Sequence, residues 1–419
     1  MTAPVLTSQA TYEAQAHFVA ELATRLHTYG TSSGRLEAAV AAVSQQMGLE
    51  CEIWSNPTGL ILSFADPVRG QQNGITRVIR LAPGDQNLGR LAATDAIAED
   101  VLAGRMDLAD GVLALRALDR PVSRRAQMLT ALSFGLSAAA VAGLLGGSWA
   151  DVSTAAGIGL LIGALYVAAS RHPHLTEALE ALAALVATLL AAAVATFIAP
   201  LSLQTVIIAS LIVLMPGLML TSAVSELSSQ QLVSGTARFA GAVMILMKLT
   251  FGTLAAMQVV RLLGWEVREA VLQPLSWQAE MAALLVASYA FAVLFRAARD
   301  DYPLVMGSVI LGYALTRIGG ETLGLASDDF AGGVFFAGMG VAAVSNLYGR
   351  WRHRPGGLIR VPGIILMVPG SVGFRTLNYA MGRDVLTGLD TAFVLLSALV
   401  ALVAGLLFGN LLLPARRTL

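Results

Sequence analysis

Two Pro-Gly pairs interrupt apolar runs at matching places in the chain, Met215-Pro216-Gly217 and Val368-Pro369-Gly370, 153 residues apart. Proline removes a backbone donor and clashes with the preceding turn, and glycine loosens the chain. Inside hydrocarbon, freed backbone groups are tolerated only where protein or a water-filled cavity satisfies them. Matched breaks therefore point to a polar space at mid-depth; read singly, each is a packing kink. Thr221 and Ser371 lie just past the breaks, where a hydroxyl can bond a polar solute or a freed carbonyl. Lys248 falls near the middle of another apolar run, with about ten residues on either side. A membrane-centre cation is unfavourable unless it faces a cavity or a partner. Its candidate work is to hold a carboxylate or to pass a proton, because buried lysines shift their pKa readily; the alternative is a structural ion pair with Glu226 or Glu180. Glu226 and Arg238 flank the polar stretch Ser225–Thr236, which either forms a loop or dips back into the membrane. Arg375, after the second break, suits an anion ligand or an interfacial anchor. Arg317 and Glu321, four apart on a helix, can pair with each other, and Asn346 can tie helices together.

The elements that must carry these residues are set by composition. The chain of 419 residues is 56% hydrophobic and only 13% charged, with mean hydropathy +0.69; a soluble domain is about a quarter charged. Apolar runs of about 20 residues, enough to cross a ~30 Å hydrocarbon layer, recur from Ala126 onward. They predict ten spans, about 126–146, 152–170, 177–198, 204–224, 239–260, 279–298, 303–322, 329–347, 358–376 and 389–413. Arginines gather in the loops on one side, among them Arg120, Arg124, Arg125, Arg350, Arg352 and Arg354, with Arg416 and Arg417 at the end; Arg261, Arg268 and Arg383 fall on the other. The side rich in arginine is expected to be cytoplasmic, together with both termini. Shifting the first five spans by 153 residues lays them on the last five, and Leu232-Val233-Ser234-Gly235 then falls on Val385-Leu386-Thr387-Gly388. Five is odd, so the second half should enter the membrane in the opposite sense. That is the inverted-topology plan of many secondary transporters.

Before the spans the period changes. Helical spacing over 12–29 and 33–47 gives way to strands at Cys51–Ser55, Leu60–Ala65 and Thr76–Leu81, then to helices over Asn87–Ala103 and Asp107–Leu118. The expected organisation is a disordered tail (1–12), a cytoplasmic α+β domain (13–120), a first five-helix membrane repeat (121–260), a connector (261–278) and a second repeat (279–419). The fold class is thus an α-helical polytopic membrane protein of ten transmembrane helices in two inverted halves, preceded by a small α+β head. The first residues hold neither a basic segment nor an apolar core, so no cleaved leader is expected.

Pro216-Gly217, Glu226, Gly235 and Arg238 resemble the P-G…D…G-x-x-R signature of the bacterial threonine/serine exporter family. Gly30…Arg35-x-Glu37 is similar to that family's G…R-x-E segment, and Val368-Pro369-Gly370-Ser371 to the signature of its C-terminal half. The similarity runs from about Ala14 to Leu413. Glu226 stands where the family has Asp, and Gln231 replaces a second acidic residue. The resemblance implies proton-driven export of small hydroxy amino acids across a bacterial inner membrane. Two-chain relatives of the same fold are associated with dicarboxylate export, which leaves a succinate-like substrate as the alternative.

Other chemistry has less support. Gly30-Thr31-Ser32-Ser33-Gly34 matches G-x-S-x-G, but a nucleophile elbow needs a strand before it and a helix after it, and here the segment joins two helices. A membrane-anchored hydrolase with a catalytic head is therefore a second alternative. One cysteine, Cys51, excludes a disulfide framework. No P-loop or dinucleotide fingerprint is present, and no cofactor or metal is expected. Zero net charge gives no basic footprint for nucleic acid. The expected partners are a small polar or anionic substrate, protons and the lipid bilayer; homo-oligomerisation stays open.

Overall fold

The structure is a computed structural model that describes the backbone over residues 3–66, 70–271, 275–322, 330–382 and 384–415. Arg383, Arg416 and Arg417 lie outside the described residues, as does the side chain of Glu321.

The head follows the order expected from its sequence. Helices α1 (Ala3–Thr28) and α2 (Ser33–Gln46) precede an antiparallel sheet of β1 (Glu50–Asn56), β2 (Gly59–Asp66) and β3 (Gly70–Arg80); α3 (Leu88–Leu102) and α4 (Leu108–Ala117) close it. Gly30, at φ 87°, ends α1 in the left-handed conformation that frees Ser32 to open α2. On β2, Leu60, Leu62 and Phe64 alternate inward against Phe18, Leu22, Leu26 and Leu36, the period-2 pattern of a half-buried strand. One expectation fails at the start. The backbone is helical from Ala3, where a tail was expected over 1–12; Pro4 falls in the first turn, where its missing N–H breaks no helical bond.

Among the described residues eight helices are long and apolar enough to cross a membrane: α5 (Arg124–Leu144), α6 (Trp149–Ala169), α7 (Pro173–Phe197), α10 (Leu232–Leu262), α11 (Trp277–Leu294), α12 (Tyr302–Thr322), α13 (Phe330–Arg352) and α16 (Val385–Leu412). The fourth and ninth expected spans are not continuous helices. They are α8 (Leu203–Leu211) with α9 (Gly217–Ser228), and α14 (Gly357–Ile364) with α15 (Gly370–Met381). The first pair bends by 61° at its break. Ten spans were expected; among the described residues eight long helices stand, and the fourth and ninth are pairs of shorter helices broken at the two Pro-Gly positions, because Pro216 and Pro369 cannot continue the hydrogen-bond ladder. The 153-residue offset holds at the level of elements: α5, α6, α9 and α10 start at 124, 149, 217 and 232, and α11, α12, α15 and α16 at 277, 302, 370 and 385.

Hydrogen bonds to the head fix the sense of two counterpart helices. Arg90 Nη2 of α3 donates to the Arg120 carbonyl, just ahead of α5. The N–H groups of Leu88 and Gly89 donate to the carbonyls of Phe295 and Arg296, just after α11. So α5 leaves the head and α11 returns to it, and the two pack side by side. At the far end the connector is held down by a parallel bridge between Leu201 and Glu269 and by Arg268, whose guanidinium donates to the carbonyls of Ala195 and Thr196.

Candidate functional site

The two breaks have the same local geometry. Pro216 has φ −82° and ψ 41°, and Pro369 has φ −82° and ψ 43°. Gly217 N–H turns back to the Met215 carbonyl at 2.9 Å, and Gly370 N–H to the Val368 carbonyl at 2.9 Å. Each proline caps a 12-residue helix, α9 or α15, whose first turn leaves N–H groups without partners in the helix and carries the positive end of its dipole. The breaks also meet. A Cβ on Gly217 would lie 3.3 Å from Gly370 N, and one on Gly370 would lie 3.1 Å from Gly217 Cα.

Beside this junction is a cavity of about 580 Å³, a size that holds a small metabolite. Met215, Pro216, Gly217, Val368, Gly370 and Ser371 line it at the breaks. Apolar side chains of α5, α11 and the segment from α8 to the first break supply much of the wall, and the head contributes its loop Gly84-Asp85-Gln86. Three arginines, Arg238, Arg296 and Arg317, reach the cavity, so its ionisable lining is mainly cationic.

An ion pair stands at each end. At the head end, Arg238 Nε donates to both oxygens of Glu226, at 3.1 and 3.0 Å. Glu226 is 3% exposed. It also accepts from Ser234 Oγ at 2.7 Å and from the backbone N–H of Ser33 in the head at 3.0 Å. Ser33 Oγ meets Ser234 Oγ at 2.7 Å, and Gln231 Nε2 donates to Glu37 Oε2 at 2.6 Å. The polar stretch 225–236 is therefore a helix–turn–helix docked on the head. Its turn needs φ 64° at Gln230.

At the far end, Arg317 Nη1 donates to Glu280 Oε1 at 2.6 Å, and Tyr313 Oη donates to the same oxygen. Arg317 lies fifteen residues beyond the start of α12, about 22 Å along the helix, so the two pairs bracket the cavity along its length. Glu280 carried no local signal in the sequence, since it sits 37 positions from Arg317; the expected Arg317–Glu321 pair involves a side chain outside the described residues.

Of the residues singled out in the sequence, Pro216, Gly217, Arg238, Gly370 and Ser371 come together on the cavity; Pro369 caps α15 behind them, and Glu226 holds Arg238. Thr221 Oγ1 turns to the Gly217 carbonyl at 3.2 Å and is buried, the backbone option rather than the solute one. Arg375 is half-buried, and among the described residues it has no hydrogen-bond or ion-pair partner. Asn346 ties helices as expected, through Nδ2 to Asn410 Oδ1 at 2.9 Å. Lys248 does not reach the cavity. Its Nζ donates to the Glu177 carbonyl at 2.9 Å and to Glu180 Oε2 at 3.4 Å, in the first turns of α7. The reason is the face it occupies: Lys248 lies near the middle of α10, but its side chain turns toward α7 and not toward the cavity. Ser32, of the G-x-S-x-G segment, is the N-cap residue of α2 between two helices, without the strand that a nucleophile elbow requires.

Comparison with known proteins agrees with this architecture. The threonine/serine exporter family model matches residues 17–260, and a second threonine/serine exporter model matches residues 280–412. The chain is 23% identical over 369 residues to the pheromone-regulated membrane protein 10 of Eremothecium gossypii, covering 86% of this chain and 48% of that one. It is 25% identical over 389 residues to the protein of the same name in Candida albicans, covering 90% and 34%. The chain thus spans about half or less of the length of these relatives. No solved structure matches. The family is one of membrane exporters, not an enzyme class, and both halves of the membrane part fall within its models: this chain belongs to the threonine/serine exporter family.

Proposed function

We propose that the protein exports threonine and serine from the cytoplasm across the cell membrane, driven by the proton gradient, with the head and both termini on the cytoplasmic side. The observation that carries this reading is the meeting of the two Pro-Gly breaks beside a cavity with cationic lining. The N-termini of α9 and α15 converge there, and helix N-termini favour carboxylates. Gly217, Gly370 and the Ser371 hydroxyl would bind the amino-acid backbone and hydroxyl, with Arg238, and Arg375 if its guanidinium turns inward, balancing the carboxylate.

Alternating access then follows from the two halves. Counterpart helices α5 and α11 run in opposite senses, and a residue that touches its own counterpart lies on the local two-fold axis. Both features suit an inverted repeat whose halves rock about a fixed site. The Glu226–Arg238 pair, with the head's Gly84–Gln86 loop, serves as the inner gate and Arg317–Glu280 as the outer one. Glu226 and Glu280 are the proton carriers of this scheme: protonating either one removes the charge that holds its arginine. A succinate-like dicarboxylate is the second reading, favoured by the presence of more than one arginine on the cavity. The test is efflux from proteoliposomes loaded with threonine, serine or succinate, with and without an imposed pH gradient. Gradient-stimulated threonine efflux is expected; succinate efflux alone would shift the assignment to the dicarboxylate, and no movement of any of them would end the proposal.

A further inference from the structure

Arg35 and Arg360 approach each other across the seam between the head and the second membrane half, and among the described residues neither has an acidic partner in contact. Arg35, on α2, brings Nη1 to within 3.9 Å of the place a Cβ on Gly357 would occupy. Gly357 opens α14, and Arg360 lies one turn further along the same face. The two guanidiniums are near enough for the charge of one to act on the other.

Arg35 makes no hydrogen bond or ion pair with any described residue. Desolvation is the largest influence on it and lowers its pKa, yet its side chain is exposed, so a solute can reach it. Arg360 places Nη2 against two neutral oxygens, Asn346 Oδ1 at 3.0 Å and Asn410 Oδ1 at 2.7 Å, and leaves Nε buried without a partner. The neighbouring Arg354 is already committed to both oxygens of Asp301, at 2.5 and 2.9 Å. Asp95, on α3, acts on Arg35 only through space.

With no carboxylate in contact with either guanidinium, and Asp95 acting on Arg35 only from a distance, an oxyanion between the two arginines is attracted by both. A guanidinium fork matches the oxygens of carboxylate and phosphate. We propose that Arg35 and Arg360 form a binding site for a small oxyanion at the head–membrane seam, separate from the central cavity, which neither residue lines. An oxyanion held there ties α2 of the head to α14, the helix that leads into the Pro369 break. The site does not depend on which substrate the cavity carries.

The test is residue-resolved labelling of arginine by phenylglyoxal on the full-length protein in nanodiscs, read by peptide mass spectrometry at constant ionic strength. Inorganic phosphate, threonine and succinate are the probes and chloride is the control. At ten times the half-saturating concentration of an effective oxyanion, labelling of Arg35 and Arg360 should slow about tenfold by mass action, while the exposed Arg120 keeps its rate. Protection by phosphate alone assigns an inorganic ligand; protection by threonine or succinate assigns a metabolite carboxylate. In Arg35→Gln the protection of Arg360 should fall below twofold. No probe protecting better than chloride, or equal slowing at Arg120, overturns the site, as does undiminished protection of Arg360 in Arg35→Gln. Should that variant fail to fold, the wild-type labelling decides alone.

Discussion

The backbone of Gly370 lies directly against that of Gly217, its counterpart 153 positions earlier: a Cβ on Gly370 would stand 3.1 Å from Gly217 Cα and 3.2 Å from its nitrogen. Carbon–carbon contacts are comfortable only at about 3.5–4.0 Å, so no larger residue fits without parting the two broken helices. Gly370→Ala should cost about 1–3 kcal/mol through overpacking and slow transport, and Gly370→Val should do worse on both. Because the two glycines share one contact, Gly217→Ala with Gly370→Ala should lose less than the sum of the single changes. Thermal unfolding and efflux on the same preparations check this; strict additivity would mean that the breaks do not bear on each other.

Glu226 joins three elements: Arg238 and Ser234 on α10, and the Ser33 N–H of the head. Glu226→Gln leaves the Arg238 charge without its partner in a buried setting, which typically costs about 3–5 kcal/mol. The loss should appear as loosening of the head. Hydrogen exchange at Ser33 and proteolysis around 119–123 should both accelerate, with far-end segments such as 261–271 unchanged. Uniform acceleration along the chain would point to general unfolding instead.

The sequence was most legible where local physics decides. The breaks at Pro216 and Pro369, the strand alternation Leu60–Leu62–Phe64 and the helix end at Gly30 follow from proline chemistry, side-chain period and turn geometry. Most partners distant in sequence were not legible, although Glu180 was one of the two ion-pair partners offered for Lys248. Glu280 meets Arg317 only because α11 packs against α12, and Arg35 nears Arg360 only because the head docks on α14. The misplacement of Lys248 had a different cause. A position near the middle of an apolar run does not say which face of the helix the side chain takes, and in α10 Lys248 faces α7.

Asp95 supplies a pH prediction. Burial pushes its carboxyl up to about 7, with Glu99 adding to the rise and Arg354 and Arg35 opposing it. Since the folded pKa lies above the unfolded value, the folded state holds the extra proton between the two. Stability from this group therefore falls as pH rises from about 4 to about 7 and is level above that, a loss of a few kcal/mol at 1.36 kcal/mol per pH unit. Asp95→Asn should flatten that slope and be more stable than wild type at pH 8. Unfolding of the full-length protein at pH 5, 6, 7 and 8 measures both; an unchanged slope would assign the pH dependence to other groups.

Two ion pairs of similar chemistry separate the roles of place and charge. Arg317 lines the cavity and donates to Glu280 at 2.6 Å, whereas Lys248, which does not line it, meets Glu180 at 3.4 Å with its side chain 36% exposed. An exposed pair of that kind contributes about 0–1 kcal/mol, so Lys248→Ala should keep transport near wild type with a small drop in stability. Arg317→Ala should abolish gradient-driven efflux, since it removes both a cavity cation and the partner of Glu280. Glu280→Gln keeps the shape but not the charge. It should leave counterflow of threonine intact, because exchange needs no net proton movement, while abolishing the response to a pH gradient. Loss of transport in Lys248→Ala together with normal coupling in Glu280→Gln would move the proton path from the far-end gate to the α7–α10 pair.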